Sequence, residues 1–376
     1  MGNTVTPLIP SIIASIQDVA RELIPLKDIV NLDSRLEGAA LNQAVTVPGT
    51  AVVAGTNIAP GATSPGGSDV TTPSQQITLS KARAFSFTVT GEELQSMTER
   101  GAGFVSAELQ EAIRACANEI YTDAVAFVAQ GAGYALGTQG TNPFASNTDF
   151  AADMKKSLDD GLAPASGRVL VIDTTTDAAL GKLGINTQAY QAGTDSILRS
   201  GEKLPLQGLR LPLANVNYSH TKGTGTNYQV NNGAGYAIGA TAITVDTGAG
   251  TIVAGDVITF AGHTTKYVAA GLNGTTLTLN APLVAAVADN EAITVGNGGT
   301  RLAALARPAL SFAVRPPSLP SGGDSARGRE MFYDPISGLT FSIAHYVEYM
   351  REKWMVEAVW GGKVVRSLWA RQALSN

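Results

Sequence analysis

Three histidines and one cysteine, at His220, His263, His345 and Cys116, are all that this chain offers of the residue types most used in catalysis and metal binding. The histidines fall in separate segments and none belongs to an HExxH pair. One cysteine cannot build a Cys/His zinc framework or an intrachain disulfide. Cys116 sits in an apolar helical pattern and reads as a buried structural thiol. The phosphate-cradling GxxxxGK[ST], the dinucleotide GxGxxG and the nucleophile-elbow GxSxG are absent. Asp173 follows the apolar run Arg168 to Ile172, where α/β enzymes often keep a carboxylate, but the same place suits the N-cap of the next helix, and that reading is preferred. Asp246 and Asp256 occupy turn-like positions without a GGxGxD repeat, so they read as turn residues rather than cation ligands. Arg114 lies within a helical stretch. Arg307, Arg315, Arg327, Arg329, Arg351, Arg366 and Arg371 crowd the C-terminal part. They suit pairing between copies of the chain or an ordinary solvated face, and both readings stay open. The expectation is therefore no catalytic, cofactor-binding or metal residue, and no enzyme.

The elements that would position these side chains are uneven along the chain. Residues 1–40 read as a short amphipathic arm, with a helix starting at Pro10-Ser11 and a second helical stretch near Ile29 to Ala40. Such short helices are marginal alone. Between Ala40 and Ser80 the only charge is Asp69. Two extended runs, Gln43 to Val53 and Gln75 to Val89, flank a centre rich in Gly, Pro, Ser and Thr, which predicts a long two-stranded arm with a soft tip. A hairpin of this kind needs a surface to lie on, and one natural surface is a neighbouring copy. Thr90 and Glu93 have capping-box spacing. After Gly101 and Gly103, the spacing of Leu109, Ile113, Cys116, Ile120, Ala124 and Phe127 predicts a long helix from about Ser106 to Gln130. Asp149 to Leu158 reads as helix, Arg168 to Ile172 as a buried strand, Asp173 to Leu183 as helix and Leu209 to Leu213 as strand. Composition then shifts. Residues 217–299 are dominated by Gly, Thr, Asn, Ala and Val. Strand runs are expected at Ala242 to Val245, Asp256 to Phe260, Thr275 to Leu279 and Glu291 to Val295, as a small barrel or sandwich. The last part has a turn at Asp334 to Gly338, a strand at Leu339 to Ile343, and a predicted hairpin turning at Gly361-Gly362 between two runs that hold Trp354, Trp360 and Trp369.

Bulk composition points the same way. Of 376 residues 44% are hydrophobic and only 15% charged, a low charge that weakens repulsion between copies. The net charge of -5 argues against a surface wrapped in nucleic acid. No basic n-region precedes a long apolar run, and no uninterrupted run reaches membrane-spanning length, so neither a signal peptide nor a membrane span is expected.

The order of these pieces resembles a known family. "KARAFSFTVTGEEL", "GRVLVIDTTTDAALGKL", the segment from Tyr190 to Val216 and the ending "FYDPISGLTFSIAHYVEYMREKWMVEAVWGGKVVRSLWA" from Phe332 to Ala370 are together similar to the P22-like branch of the HK97-fold coat proteins of tailed bacteriophages. The matches touch roughly residues 40–216 and 300–371, and each motif is weak alone. The resemblance implies an α+β HK97-like capsid fold with an extended loop, a long spine helix, axial and peripheral domains and an inserted all-β domain. Its parts would be an N-terminal arm (1–40), the extended loop (41–89), a peripheral domain with the spine helix (90–144), a first axial part (145–216), the inserted β domain (217–299), a second axial part (300–330) and closing strands (331–376). It further implies a major capsid protein that assembles with itself as hexamers and pentamers into an icosahedral shell. That shell would enclose double-stranded DNA without sequence-specific binding, form in the host cytoplasm and end in the virion. Separate scaffolding and portal proteins would be partners, with a decoration protein as a further option, and no membrane. Residues 41–80 contain no lysine, so isopeptide crosslinking from this loop is not expected. An encapsulin-like compartment shell and a phage tail or adhesion protein are the alternatives.

Overall fold

Twenty strands and six helices make up the described part of the chain, residues 26–48, 60, 74–96, 101–188, 205–214, 218–334 and 338–376 of a computed structural model. The first half runs α1 (Leu26–Ile29), β1 (Asn31–Ser34), β2 (Ala44–Pro48), β3 (Ser74–Thr78), β4 (Lys81–Thr90), α2 (Gly91–Ser96), α3 (Gly101–Gly131), β5 (Tyr134–Leu136), α4 (Asp149–Asp160), β6 (Arg168–Asp173), α5 (Thr174–Gly181), α6 (Gly184–Thr187) and β7 (Leu213–Ala214). Strands follow, with two 3-10 turns among them: β8 (Tyr218–His220), β9 (Tyr228–Val230), β10 (Ala242–Asp246), β11 (Val257–Phe260), β12 (Lys266–Asn273), β13 (Thr276–Leu279), β14 (Ala292–Val295), β15 (Gly299–Ala306), β16 (Leu310–Arg315), β17 (Gly328–Tyr333), β18 (Thr340–Glu348), β19 (Arg351–Val364) and β20 (Ala370–Leu374). The class is α+β.

Helix α3 organises the core. It extends for 31 residues, roughly 46 Å at the usual rise per residue. Its stripe of Leu109, Ile113, Cys116, Ile120, Ala124 and Val128 is buried. A curled six-stranded sheet, ordered β1-β16-β19-β18-β17 with β4 also paired to β19, supplies Phe312, Phe341, Ile343, Trp354, Val356 and Trp360 to the same cluster. A second sheet, which runs β5-β20-β15-β6-β7 here and continues through the pairing of β5 with β12, supplies Val169, Val171, Ala303 and Leu305 to it. The reverse face of this second sheet, with Leu170, Ile172 and Leu302, is covered by Met154 and Leu158 of α4 and Leu180 of α5. Burial on both faces explains why Arg168 to Ile172 reads as an unbroken apolar run rather than an alternating one.

Between Tyr218 and Val295 every regular element is a strand. Six of them close on themselves in the order β11-β14-β9-β10-β13-β12 and back to β11, so this is a barrel and has no free edge. Alternate residues point inward. Ile243, Val245, Leu277 and Leu279 fill it together with Phe260, Tyr267 and Ile293. All four expected strand runs lie on β10, β11, β13 and β14; β9 and β12 were not anticipated.

Several expectations need correction. The Gly361-Gly362 pair is no turn but lies inside β19, a single strand of 14 residues. A Cβ at Gly361 would sit 2.1 Å from the Thr78 carbonyl oxygen, and one at Gly362 would press into Phe312 and Phe127, so both glycines serve close approach. The real turn is Tyr349-Met350, between paired Glu348 and Arg351, with Met350 at φ 56°. The predicted helix over Ile29 to Ala40 is instead the strand β1, drawn into parallel pairing with Ser311 to Val314 and tied by Asp33 to Arg315 at 3.0 Å. Helix α3 starts earlier than expected and includes Gly103. The second extended run, open between one strand and two, is two: β3 and β4, split at Leu79-Ser80. Leu209 to Leu213 runs beside β6, with Leu170 N donating to Arg210 O and Ile172 N to Pro212 O, but the ladder itself is only Leu213–Ala214. The helix at Pro10-Ser11 and nearly all of the soft centre of the arm lie outside the described residues.

Candidate assembly surface

The hairpin of β2 and β3 pairs Ala44 with Thr78 through to Pro48 with Ser74, antiparallel, and belongs to no larger sheet among the described residues. One face (Ala44, Thr46, Ser74, Gln76 and Thr78) is exposed, while Ile77 on the other is buried. Its base is fixed by chemistry spread over three elements. Asn42 N donates to Leu79 O at 2.8 Å and Leu79 N to Gln43 O at 3.0 Å. Leu79 then buries with Ala39, Ala313 and Val359. At the start of β4, Lys81 Nζ donates to Asp123 Oδ1 at 2.6 Å, and Trp360 Nε1 donates to Asp123 Oδ2 at 2.8 Å. Arg83 pairs with Glu119 at 3.1 Å. Helix α3 thus grips the strand that follows the hairpin. At the far end of β4 the expected capping box is present: Thr90 N donates to Glu93 Oε2 at 2.8 Å, which holds the Glu93 carboxyl below its usual range, and Glu93 N donates to Thr90 Oγ1 at 3.3 Å.

Free edges surround this base. Among the described residues strand β4 pairs only with β19, and Ala82, Arg83, Ala84, Ser86 and Thr88 along it are exposed. Strand β17 closes the opposite side of the six-stranded sheet, with exposed Met331 and Tyr333. The turn between β18 and β19 carries Val347, Tyr349 and Met350 into solvent, Tyr349 at 90% exposure. Apolar side chains on edge strands and exposed turns are what an associating protein displays and a monomer usually blunts.

The residues singled out in the sequence are scattered. Asp173 caps α5, accepting from Thr176 N at 2.8 Å. Cys116 is buried inside α3, and burial raises its thiol pKa. His345 stacks on Trp354 at 4.2 Å, with Nε2 3.3 Å from Glu352; burial lowers its pKa against the pull of that carboxylate. His263 sits at the barrel rim, 3.2 Å from Ala286 O. His220 donates from Nε2 to Asp256 Oδ1 at 2.8 Å. Asp256 is fully buried rather than a surface turn residue, and Gly223 N and Val253 N also donate to it. That role was missed because a lone aspartate after a glycine looks like any turn. Asp246 lies in β10 beside Thr247. Among the described residues no group of three or more His, Cys, Asp or Glu is placed to hold a metal.

Most of the arginines find partners within the chain. Arg329 binds Asp324, Glu357 and Ser342, and Arg315 binds Asp33. Arg351 binds Glu348, Arg114 binds Glu111, and Arg307 donates to Val30 O. Arg366 lies over Trp369, while Arg371 lies over Tyr134 and donates to Ser157 Oγ. A groove of about 910 Å³ between α4 and the barrel is lined by Lys156, Asp160, Lys266, Val284 and Arg371, without a histidine or cysteine. No described helix is long and apolar enough to cross a membrane.

No family model and no curated protein matches the chain. Solved structures that superpose on it in part include the capsid of cyanophage P-SCSP1u (12% identity, TM-score 0.47, 94% of this chain and 88% of that one). A chain of Mycobacterium phage Che8 (13%, 0.45, 88% and 84%) and a virus-like particle from Pyrococcus furiosus (9%, 0.40, 97% and 98%) also superpose. At that level the likeness carries no residue-by-residue correspondence.

Proposed function

We propose that this chain is a major capsid protein of a tailed bacteriophage, of HK97-like fold and P22-like kind, that assembles with itself into an icosahedral shell around double-stranded DNA. The observation that carries this reading is the hairpin: a two-stranded ladder with one exposed face, clamped at its base by Leu79, Asp123 and Gly361 and next to the exposed edge of β4. Two strands alone are marginal, and a second copy supplies the missing surface. A hairpin lying on the next copy makes a heterologous contact, which closes into rings when the rotation permits. On this reading residues 41–89 are the extended loop and α3 is the spine helix of a peripheral domain spanning 90–144. The axial domain spans 145–216 and 300–330, the barrel lies in an insertion over 217–299, and 331–376 closes the core. Assembly would use separate scaffolding and portal proteins, in the host cytoplasm.

Electron microscopy of the purified chain, alongside a variant with residues 49–73 replaced by a short Gly-Ser link, tests this. Shells or rings from the parent and folded, unassembled protein from the variant are expected. Normal shells from the variant would remove the hairpin from the mechanism. A parent that stays monomeric at every concentration and salt would end the assembly reading. Particles isolated from their source that contain no DNA would favour a compartment shell instead.

A further inference from the structure

We infer that the groove between α4 and the barrel is a docking site for an acidic polypeptide segment, one that sets a carboxylate against Lys266 and an apolar side chain against Ile238 and Val284. The groove has a volume of about 910 Å³ and three sides. Asp153, Lys156, Ser157 and Asp160 of α4 form one side. They recur at three and four residues and so share a helix face, while Met154 and Leu158 turn to the sheet behind. Ile238, Leu283 and Val284 of the barrel form the second side. The floor is the seam where β5 pairs with β12, Ala135 opposite Lys266 and Tyr134 opposite Tyr267, with Arg371 beside it.

Charge is unevenly spread over these sides. Lys156 is taken up by Asp160 at 2.6 Å on its own helix, and Asp153 is the other acid of that face. The floor carries two cations that are held, among the described residues, by neutral acceptors. Lys266 Nζ donates to Gly137 O. Arg371 donates to Ser157 Oγ at 2.5 Å, to Leu368 O at 2.8 Å and to Ala370 O at 3.0 Å, and its guanidinium lies 5.1 Å over the Tyr134 ring. Asp160 acts on Arg371 through its field. Burial lowers the pKa of Lys266, and that of Arg371 to about 10. Positive charge is thus held where water is partly excluded, and a carboxylate brought there gains more than it would in bulk water. Arg371 is buried and acts from beneath the floor, whereas half-buried Lys266 reaches the groove itself. Three cations face two acids in this groove, in a chain whose net charge is -5.

The rim selects the class of ligand. Volume alone would also suit a small molecule, for which about 300–1,000 Å³ is usual. On the barrel side, however, Ile238 is 69% exposed and Val284 53%. Apolar side chains that project from a lip mark a macromolecular contact rather than the lining of a small-molecule pocket. A nucleic-acid strand brings phosphates but no apolar side chain for Ile238 and Val284, and Asp153 and Asp160 would repel it. A polypeptide segment carries both groups side by side, a carboxylate for Lys266 and an aliphatic or aromatic side chain for the lip. Lying in the groove it touches α4 and the barrel together and so steadies one on the other.

Fluorescence anisotropy on the intact chain tests this with a labelled peptide of alternating leucine and glutamate, beside the same peptide with glutamine in place of glutamate. Saturable binding of the glutamate peptide is expected, with the glutamine peptide weaker by about tenfold, the loss that fits one charge-assisted hydrogen bond. Lys266→Gln should erase that difference and leave the glutamine peptide as it was. Val284→Asp, at an exposed position, should weaken both peptides. No saturable binding, equal binding of the two peptides to the parent, or a glutamate peptide unaffected by either folded variant would overturn the assignment. A thymidine oligonucleotide that displaces the peptide would give the groove to nucleic acid instead, and a peptide affinity that falls as the chain self-associates would give it to a second copy; either result also overturns it.

Discussion

The barrel and the hairpin are built from the same material, short β-runs with few charges, and they solve the edge problem in opposite ways. The barrel joins β11 to β12 and leaves no strand unpaired, with Phe260, Tyr267 and Leu277 filling its interior. The hairpin has two strands and buries Ile77 on one face only. A closed ring carries its stability within itself. An open ladder depends on what it is clamped to and, on the reading proposed here, on a second molecule. The contrast lies in closure, because both regions satisfy their local backbone hydrogen bonds.

The comparison can be broken from the barrel side first. Phe260→Ala removes a ring that is 1% exposed inside the barrel and should cost about 3–5 kcal/mol in chemical denaturation. Hydrogen exchange should quicken in β10 to β14 while amides of β2 and β3 hold their rates. Equal loosening of the hairpin would refute the separation. The mirror experiment is Gly361→Ala. Its new Cβ meets the Thr78 carbonyl at 2.1 Å, so the hairpin base must shift at a cost of about 1–3 kcal/mol. Faster exchange in β2 and β3, with the barrel untouched, is the expected outcome.

A smaller change sharpens the clamp. Asp123→Asn weakens the bonds from Lys81 and Trp360, and because Lys81 is partly exposed the loss should be about 1 kcal/mol by denaturant midpoint. Assembly onset should move to higher protein concentration; an unchanged onset would mean α3 does not steady the hairpin. The smallest effect expected is with acid. Burial lowers the His345 pKa in the folded state, so the unfolded chain binds the proton more readily. Its contribution is intact above the unfolded value of about 6.5 and is lost as pH falls from there toward the folded value. The six-stranded sheet should therefore lose stability below that point in thermal melts, and His345→Gln should flatten the slope.

Periodicity made α3, α4, β6 and four barrel strands legible, since each carries its own apolar spacing. The capping box at Thr90 and the N-cap at Asp173 were legible for the same reason, being contained within four residues. The hairpin at Gly361-Gly362 was misread because glycine has two uses, turning and close approach, and only the presence of Thr78 and Phe312 alongside tells them apart. Strand β1 was misread as helix because its pairing partner, β16, lies some 280 positions further along the chain. The buried pair of His220 and Asp256 left no signal, as its members lie 36 positions apart, one in β8 and one in the loop before β11.

By itself the sequence determined the chain's local preferences: which stretches are helical, which are extended and where caps fall. Tertiary structure alone decided which strands meet, that six of them close into a ring while two remain a bare ladder, and which buried polar atoms are answered. Local spacing is fixed by backbone periodicity within a few residues, whereas closure, clamping and polar satisfaction depend on groups that become neighbours only once the chain has folded.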